Sequence, residues 1–188
     1  MTLALTHSVA LLGLEGHLVT VEVDIADGLP GYSLLGLPDA ALTESRERVR
    51  SAIVNCGEVW PNRKVTVSLS PAWLPKSGSS FDLAICISVL SAHESIAKEK
   101  IEELLFLGEL SLDGRIRSVR GVLPALIAAY KSGIKRALVS PENYGEASLM
   151  TQMQIFTFPN LAQVLRFLRT GEITSAPQLD LELSLNIF

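Results

Sequence analysis

The chain has 188 residues, which suits one domain, and 48% of them are hydrophobic against 19% charged, which excludes a disordered chain. A net charge of −4 and a pI near 5.4 exclude a broadly basic, salt-driven nucleic-acid binder and leave room only for a local basic patch. The longest apolar run, Leu83 to Leu90, is far short of the roughly 20 residues that cross a bilayer, and no basic residue precedes Arg46 to make a signal-peptide n-region.

The first 37 residues read as β structure. Thr6 to Leu12 is an apolar run, Gly13 and Gly16 bracket a turn, and His17 to Ile25 alternates with period two. After Gly28 and Pro30-Gly31, Tyr32 to Leu37 forms a third strand. Pro38-Asp39 opens a helix, with Asp39 able to cap its first turn, and Leu42, Val49, Ile53 and Cys56 share one face. Arg46, Glu47 and Arg50 fall toward solvent, and Gly57 ends the helix.

Lys64 to Ser70 is again a strand, followed by the loop PAWLPKSGSS and a helix from Phe81 to about His93. Ser79 and Asp82 have the spacing of a capping box. Asp113-Gly114 between Leu104–Leu112 and Arg115–Val119 predicts a hairpin. Gly121 to Tyr130 is a nearly all-apolar helix that tolerates Pro124 in its first turn, and Gly133 ends it. A strand at Ala137–Ser140, a weak helix at 142–150, a strand at Ile155–Phe158 and an amphipathic helix at Leu161–Leu168 complete the pattern. The class is α+β, with a mixed, mostly antiparallel sheet and helices packed on it.

The domain spans 1–172, and 173–188 reads as a linker: Ser175-Ala176-Pro177 precedes LDLELSLNIF, whose alternating apolar residues would suit pairing with a sheet edge or the start of a further domain. Cys56 and Cys86 lie in apolar helical patterns without CxxC spacing and read as free buried thiols of a reducing, cytoplasmic compartment. His7, His17 and His93 are scattered without metal-ligand spacing, and no GxxxxGK[ST] phosphate loop occurs. The sequence therefore predicts no metal and no cofactor for this chain.

Two segments carry chemistry when taken together. Gly108-Glu109-Leu110, Asp113-Gly114-Arg115, Gly121, Ala128-Ala129, Ser132-Gly133-Ile134 and Pro141-Glu142-Asn143 resemble, in order, the catalytic half of the Lon protease domain. Pro75-Lys76, with Gly78, resembles the motif that holds the Lon nucleophile, which places that position on Ser80. The resemblance implies a Ser–Lys dyad, in which a lysine of lowered pKa takes the serine proton. The lysine position falls on Ala125, which cannot accept a proton, and Phe81-Asp82 replaces the small residues that follow the Lon serine. No catalytic residue is expected.

The departures resemble a second group. Leu29 to Gly57, with GLPD and SRERVR inside it, and Pro71, Leu74, Pro75, Lys76, Gly78, Phe81, Asp82 and Leu83 are similar to the N-terminal domain of the Mg-chelatase-like AAA ATPases of the ComM and YifB type. That resemblance covers 1 to about 170 and implies the fold of domain 2 of ribosomal protein S5. It also implies an ATPase domain beyond residue 188 that holds ATP and Mg, a homo-oligomer, hexameric in the parent, and DNA processing. This chain would be a non-catalytic accessory part, serving assembly or guidance. The alternatives are a Ser80-dependent hydrolase and an interaction module that uses its edge strand or tail. From Glu44 to Asp82 there are six basic and four acidic residues, so Arg46, Arg48, Arg50, Arg63, Lys64 and Lys76 are the candidate contacts to nucleic acid or a partner.

Overall fold

A computed structural model of the chain describes residues 2–173. The predicted linker and its alternating leucines, from 174 onward, lie outside the described residues.

The two strands that open the chain, β1 (Thr2–Leu12) and β2 (Glu15–Ala26), form one antiparallel hairpin. Strict alternation puts Val19, Val21, Val23 and Ile25 on the core side, all fully buried. Next come β3 (Gly31–Leu35), α1 (Ala40–Thr43), α2 (Ser45–Asn55) and β4 (Lys64–Ser70). The middle of the chain supplies α3 (Asp82–Ala92), β5 (Leu104–Phe106) and the small hairpin β6 (Glu109–Leu110) with β7 (Ile116–Arg117). The remainder is α4 (Val122–Lys131), β8 (Arg136–Val139), α5 (Tyr144–Ala147), β9 (Gln154–Thr157) and α6 (Leu161–Thr170).

Among the described residues, seven strands make one sheet in the order β3-β4-β2-β1-β5-β8-β9. The α+β class and the mixed sheet are those the sequence predicts. Antiparallel pairing occupies the long ladders, eleven residue pairs for β1–β2 and seven for β2–β4. The parallel ladders are shorter, five pairs at most. In direction, however, β2 alone opposes the other six strands.

Helices cover both faces. Every residue of α3 is buried, which is the fate of a helix that is apolar all round. It packs on β1 and β2, with α2 beyond it. On the opposite face α4 lies across the β1–β2 hairpin. Gly16 permits that approach, because a Cβ there would stand 2.7 Å from Ala128 Cβ and 2.9 Å from the Pro124 carbonyl oxygen.

Four local expectations change. The helix expected from Asp39 to Cys56 is two helices, broken at Glu44. The strand expected over 104–112 is divided into β5 and β6. The weak helix over 142–150 contracts to a 3-10 turn, Pro141–Asn143, and the short α5. The Ser79/Asp82 capping box does not form: Phe81 stands at the N-cap of α3 without a side-chain bond, and the Ser79 and Asp82 side chains bond elsewhere. Asp39 does cap α1, accepting from the Leu42 N–H at 2.8 Å. No helix among the described residues is long and apolar enough to cross a membrane.

Candidate functional site

The N-terminal ends of α3 and α4 meet at one end of β1, and an open cleft of about 440 Å³ lies between them. Ser77 to Ser80 line one side and Ser118 to Val122 the other, so Ser80 and Ala125, far apart in sequence, share the same cavity. Val9, Leu11, Leu107, Val122 and Ala125 give it an apolar lining.

Each wall is held by specific bonds. Gly121 takes a left-handed conformation (φ 72°) to turn the chain into α4. The Glu146 carboxylate accepts from the Leu123 N–H at 2.8 Å, which anchors the first turn of α4 to α5. Asn143, almost wholly buried, clamps the preceding segment: Val119 N–H donates to its Oδ1, and its Nδ2 donates to the Val119 carbonyl, both at 2.9 Å. On the other side Gly78 N–H donates to Asp39, and the Gly108 N–H donates to the Ser80 carbonyl at 3.2 Å.

The chemistry of this cleft is sparse. Ser79, not Ser80, has a carboxylate partner: its hydroxyl donates to Glu109. Among the described residues the Ser80 hydroxyl has no hydrogen-bond partner, and no lysine or histidine lines the cleft. A serine is a weak nucleophile until a neighbouring base takes its proton, and none of the described residues that line the cleft is a lysine or histidine placed to do so for Ser80.

The six basic candidates divide by burial. Arg48 belongs to the fold: its Nε and Nη2 donate to the two oxygens of Asp82 at 2.6 and 3.0 Å. Asp82 is fully buried and also accepts from the Leu110 N–H at 3.2 Å. Burial pushes its carboxyl up to about 6, against the opposing pull of Arg48. Lys76 is also structural. Only 1% exposed, its ammonium donates to the carbonyls of Gly36 and Leu69, each at 2.9 Å, and to that of Pro71. Burial lowers its pKa. Lys76 therefore presents no cation to nucleic acid or a partner, which corrects the expectation for it, whereas Arg48, although held by Asp82, keeps 21% of its side chain exposed. Of the rest, Arg46 lies 5.6 Å over the Tyr32 ring and Arg63 pairs with Asp27 at 2.7 Å, while Arg50 and Lys64 are exposed.

Sequence reasoning missed Glu109 and Asn143 as site-forming residues. Asn143 had a signal, since it closes the Pro141-Glu142-Asn143 motif; Glu109 is joined to Ser79 only through the fold.

Comparison with known proteins gives a consistent pattern. The family model described as subunit ChlI of Mg-chelatase matches residues 21–143. The uncharacterized protein Rv2897c of Mycobacterium tuberculosis is 49% identical over 94% of this chain and 36% of its own length. Competence protein ComM of Haemophilus influenzae is 39% identical over 92% of this chain and 34% of its own. A more distant match, Lon protease 1 of Myxococcus xanthus, is 26% identical over 69% of this chain and 16% of its own, in keeping with the α+β Lon-like fold. The chain spans about a third of the length of the first two relatives.

Proposed function

The chain belongs to the Mg-chelatase ChlI family, and from that membership we propose that it is a non-catalytic accessory domain of a Mg-chelatase-like AAA ATPase, serving ring assembly or substrate guidance. The observation that carries the reading is the cleft itself: Ala125 stands where the Lon resemblance places the lysine, and among the described residues no side-chain amine or imidazole lines the cavity. ATP and Mg would be held by the ATPase domain of the parent, and the parent would act as a homo-oligomer, hexameric, on DNA.

A chimera tests the assembly role. This chain replaces the matching third of the Haemophilus influenzae relative, and light scattering and ATP turnover are measured beside a variant that lacks that third. The chimera should keep the oligomer and the turnover that the deletion loses; an unchanged oligomer in the deletion sinks the role in assembly.

The hydrolase alternative has its own test. A fluorophosphonate probe should leave Ser80 unlabelled, and labelling abolished by Ser80→Ala would restore that reading. For DNA, Arg50 and Lys64 are the exposed cations among the six candidates. A patch this small gives contact only at low salt. Fluorescence anisotropy with single- and double-stranded oligonucleotides measures it, and no binding at low salt removes direct contact by this chain while leaving the ring role intact.

A further inference from the structure

The wall opposite Ser80 is built like an unfinished sheet edge. Residues 118–120 run on from β7 without entering a helix. The two polar backbone groups of Val119 are both taken by Asn143, an amide side chain that stands in for a neighbouring strand. On either side of it, the backbones of Ser118 and Arg120 make no hydrogen bond to any described residue, and both residues line the cleft. Free N–H and C=O groups beside an apolar cavity are what an added strand satisfies, with its main chain giving affinity and the cavity taking alternate side chains.

Lining and charge narrow the occupant. Val9, Leu11, Val122 and Ala125 offer small apolar surface suited to a valine or alanine side chain. The carboxylate in the cleft, Glu109, accepts the Ser79 hydroxyl and keeps its negative charge. Arg120 is exposed and has no ion-pair partner among the described residues, and Arg117 stands exposed at the end of β7. Counted with Glu109, these two arginines leave a net charge of one positive at the cleft and its rim. Among the described residues, no aromatic ring lines the cleft to stack a nucleobase.

We propose that this cleft binds an extended peptide segment with small apolar residues and acidic flanks, by strand addition to Ser118–Arg120, and releases it uncut. The occupant is a segment of another protein. The proposal stands apart from the accessory-domain reading, because it needs no parent ATPase.

The test is an NMR titration of the 15N-labelled 188-residue chain with an acetylated, amidated hexapeptide of alternating valine and glutamate. Saturating shifts should appear at the amides of Ser118, Arg120, Gly121 and Leu11. Two further versions of the peptide, N-methylated on one or the other set of alternate amides, should differ in affinity by at least ~10-fold, since only one edge of an added strand pairs. Arg120→Glu, an exposed position that leaves the rest of the spectrum in place, should weaken binding by a similar factor. Mass spectrometry should recover the peptide intact. Shifts centred elsewhere, no saturation at millimolar peptide, equal binding of the two methylated forms, unchanged affinity in Arg120→Glu, or displacement by a single-stranded oligonucleotide would each overturn the proposal. Ser80-dependent cleavage would overturn its non-hydrolytic part.

Discussion

Arg48 on α2 and Asp82 at the start of α3 form a two-point ion pair, 2.6 and 3.0 Å long, in which the carboxylate is fully buried while the guanidinium keeps partial contact with solvent. Through the Leu110 N–H the same carboxylate also holds β6. One pair thus fixes two helices and the small hairpin beside the cleft.

Removing the cation should be costly, and the cost should depend on pH. Where Asp82 is ionised, Arg48→Met leaves a buried charge without its partner, a loss of about 3 kcal/mol. Burial raises Asp82 from 3.8 to about 6. The native state therefore binds the extra proton between these values, and this group's contribution to stability falls as pH rises through that window. Without Arg48 the native pKa rises further. Urea unfolding of the variant and the wild type should show a small penalty near pH 4 that grows as pH rises through about 6.

Lys76→Met keeps the length of the side chain but withdraws the donor from three carbonyls. Leaving buried acceptors unsatisfied costs 1–3 kcal/mol or more, so the variant should lose about 3 kcal/mol in denaturant unfolding. Its oligonucleotide binding at low salt should match the wild type, because the ammonium never reaches the surface.

Gly16→Ala should force α4 away from the hairpin. The new methyl would meet Ala128 Cβ and the Pro124 carbonyl within 3 Å. Overpacking of this kind costs about 2 kcal/mol, equivalent to a fall in Tm of roughly 4–8 °C in a thermal melt.

Asn143→Ala should loosen the cleft wall more than the core. Both bonds to Val119 disappear, at about 1 kcal/mol each. Hydrogen exchange should speed up at Val119, while the amides of β2 keep their protection.

Much of the fold was legible because period and punctuation agree. Val19–Ile25 alternates without interruption, Asp113-Gly114 sits in a turn closed by the Gly114 N–H on Ser111, and Gly171 ends α6 in the left-handed region. Lys76 was not legible: between prolines and serines it looks like a loop cation, and the three carbonyls that enclose it come from residues 36, 69 and 71. The helix break at Glu44 was hidden as well, because the apolar face continues through Leu42 and Val49 on both sides of it. In the cleft, the positions of Ser80 and Ala125 were readable one at a time. Which groups surround them depends on two helix starts meeting across β1, a relationship that no local pattern carries.

The order of strands divides the sheet into two instalments. Residues 2–70 supply β3, β4, β2 and β1 as a contiguous block, and residues 104–157 supply β5, β8 and β9. The blocks join where β1 meets β5, a ladder with one registered pair, His7 with Leu105. As the chain leaves the ribosome, the first block can close its own hydrogen bonds while the outer edge of β1 waits for Leu105 to be made. That seam is a bare strand edge during synthesis, and the line along which the finished sheet has least backbone bonding to resist parting.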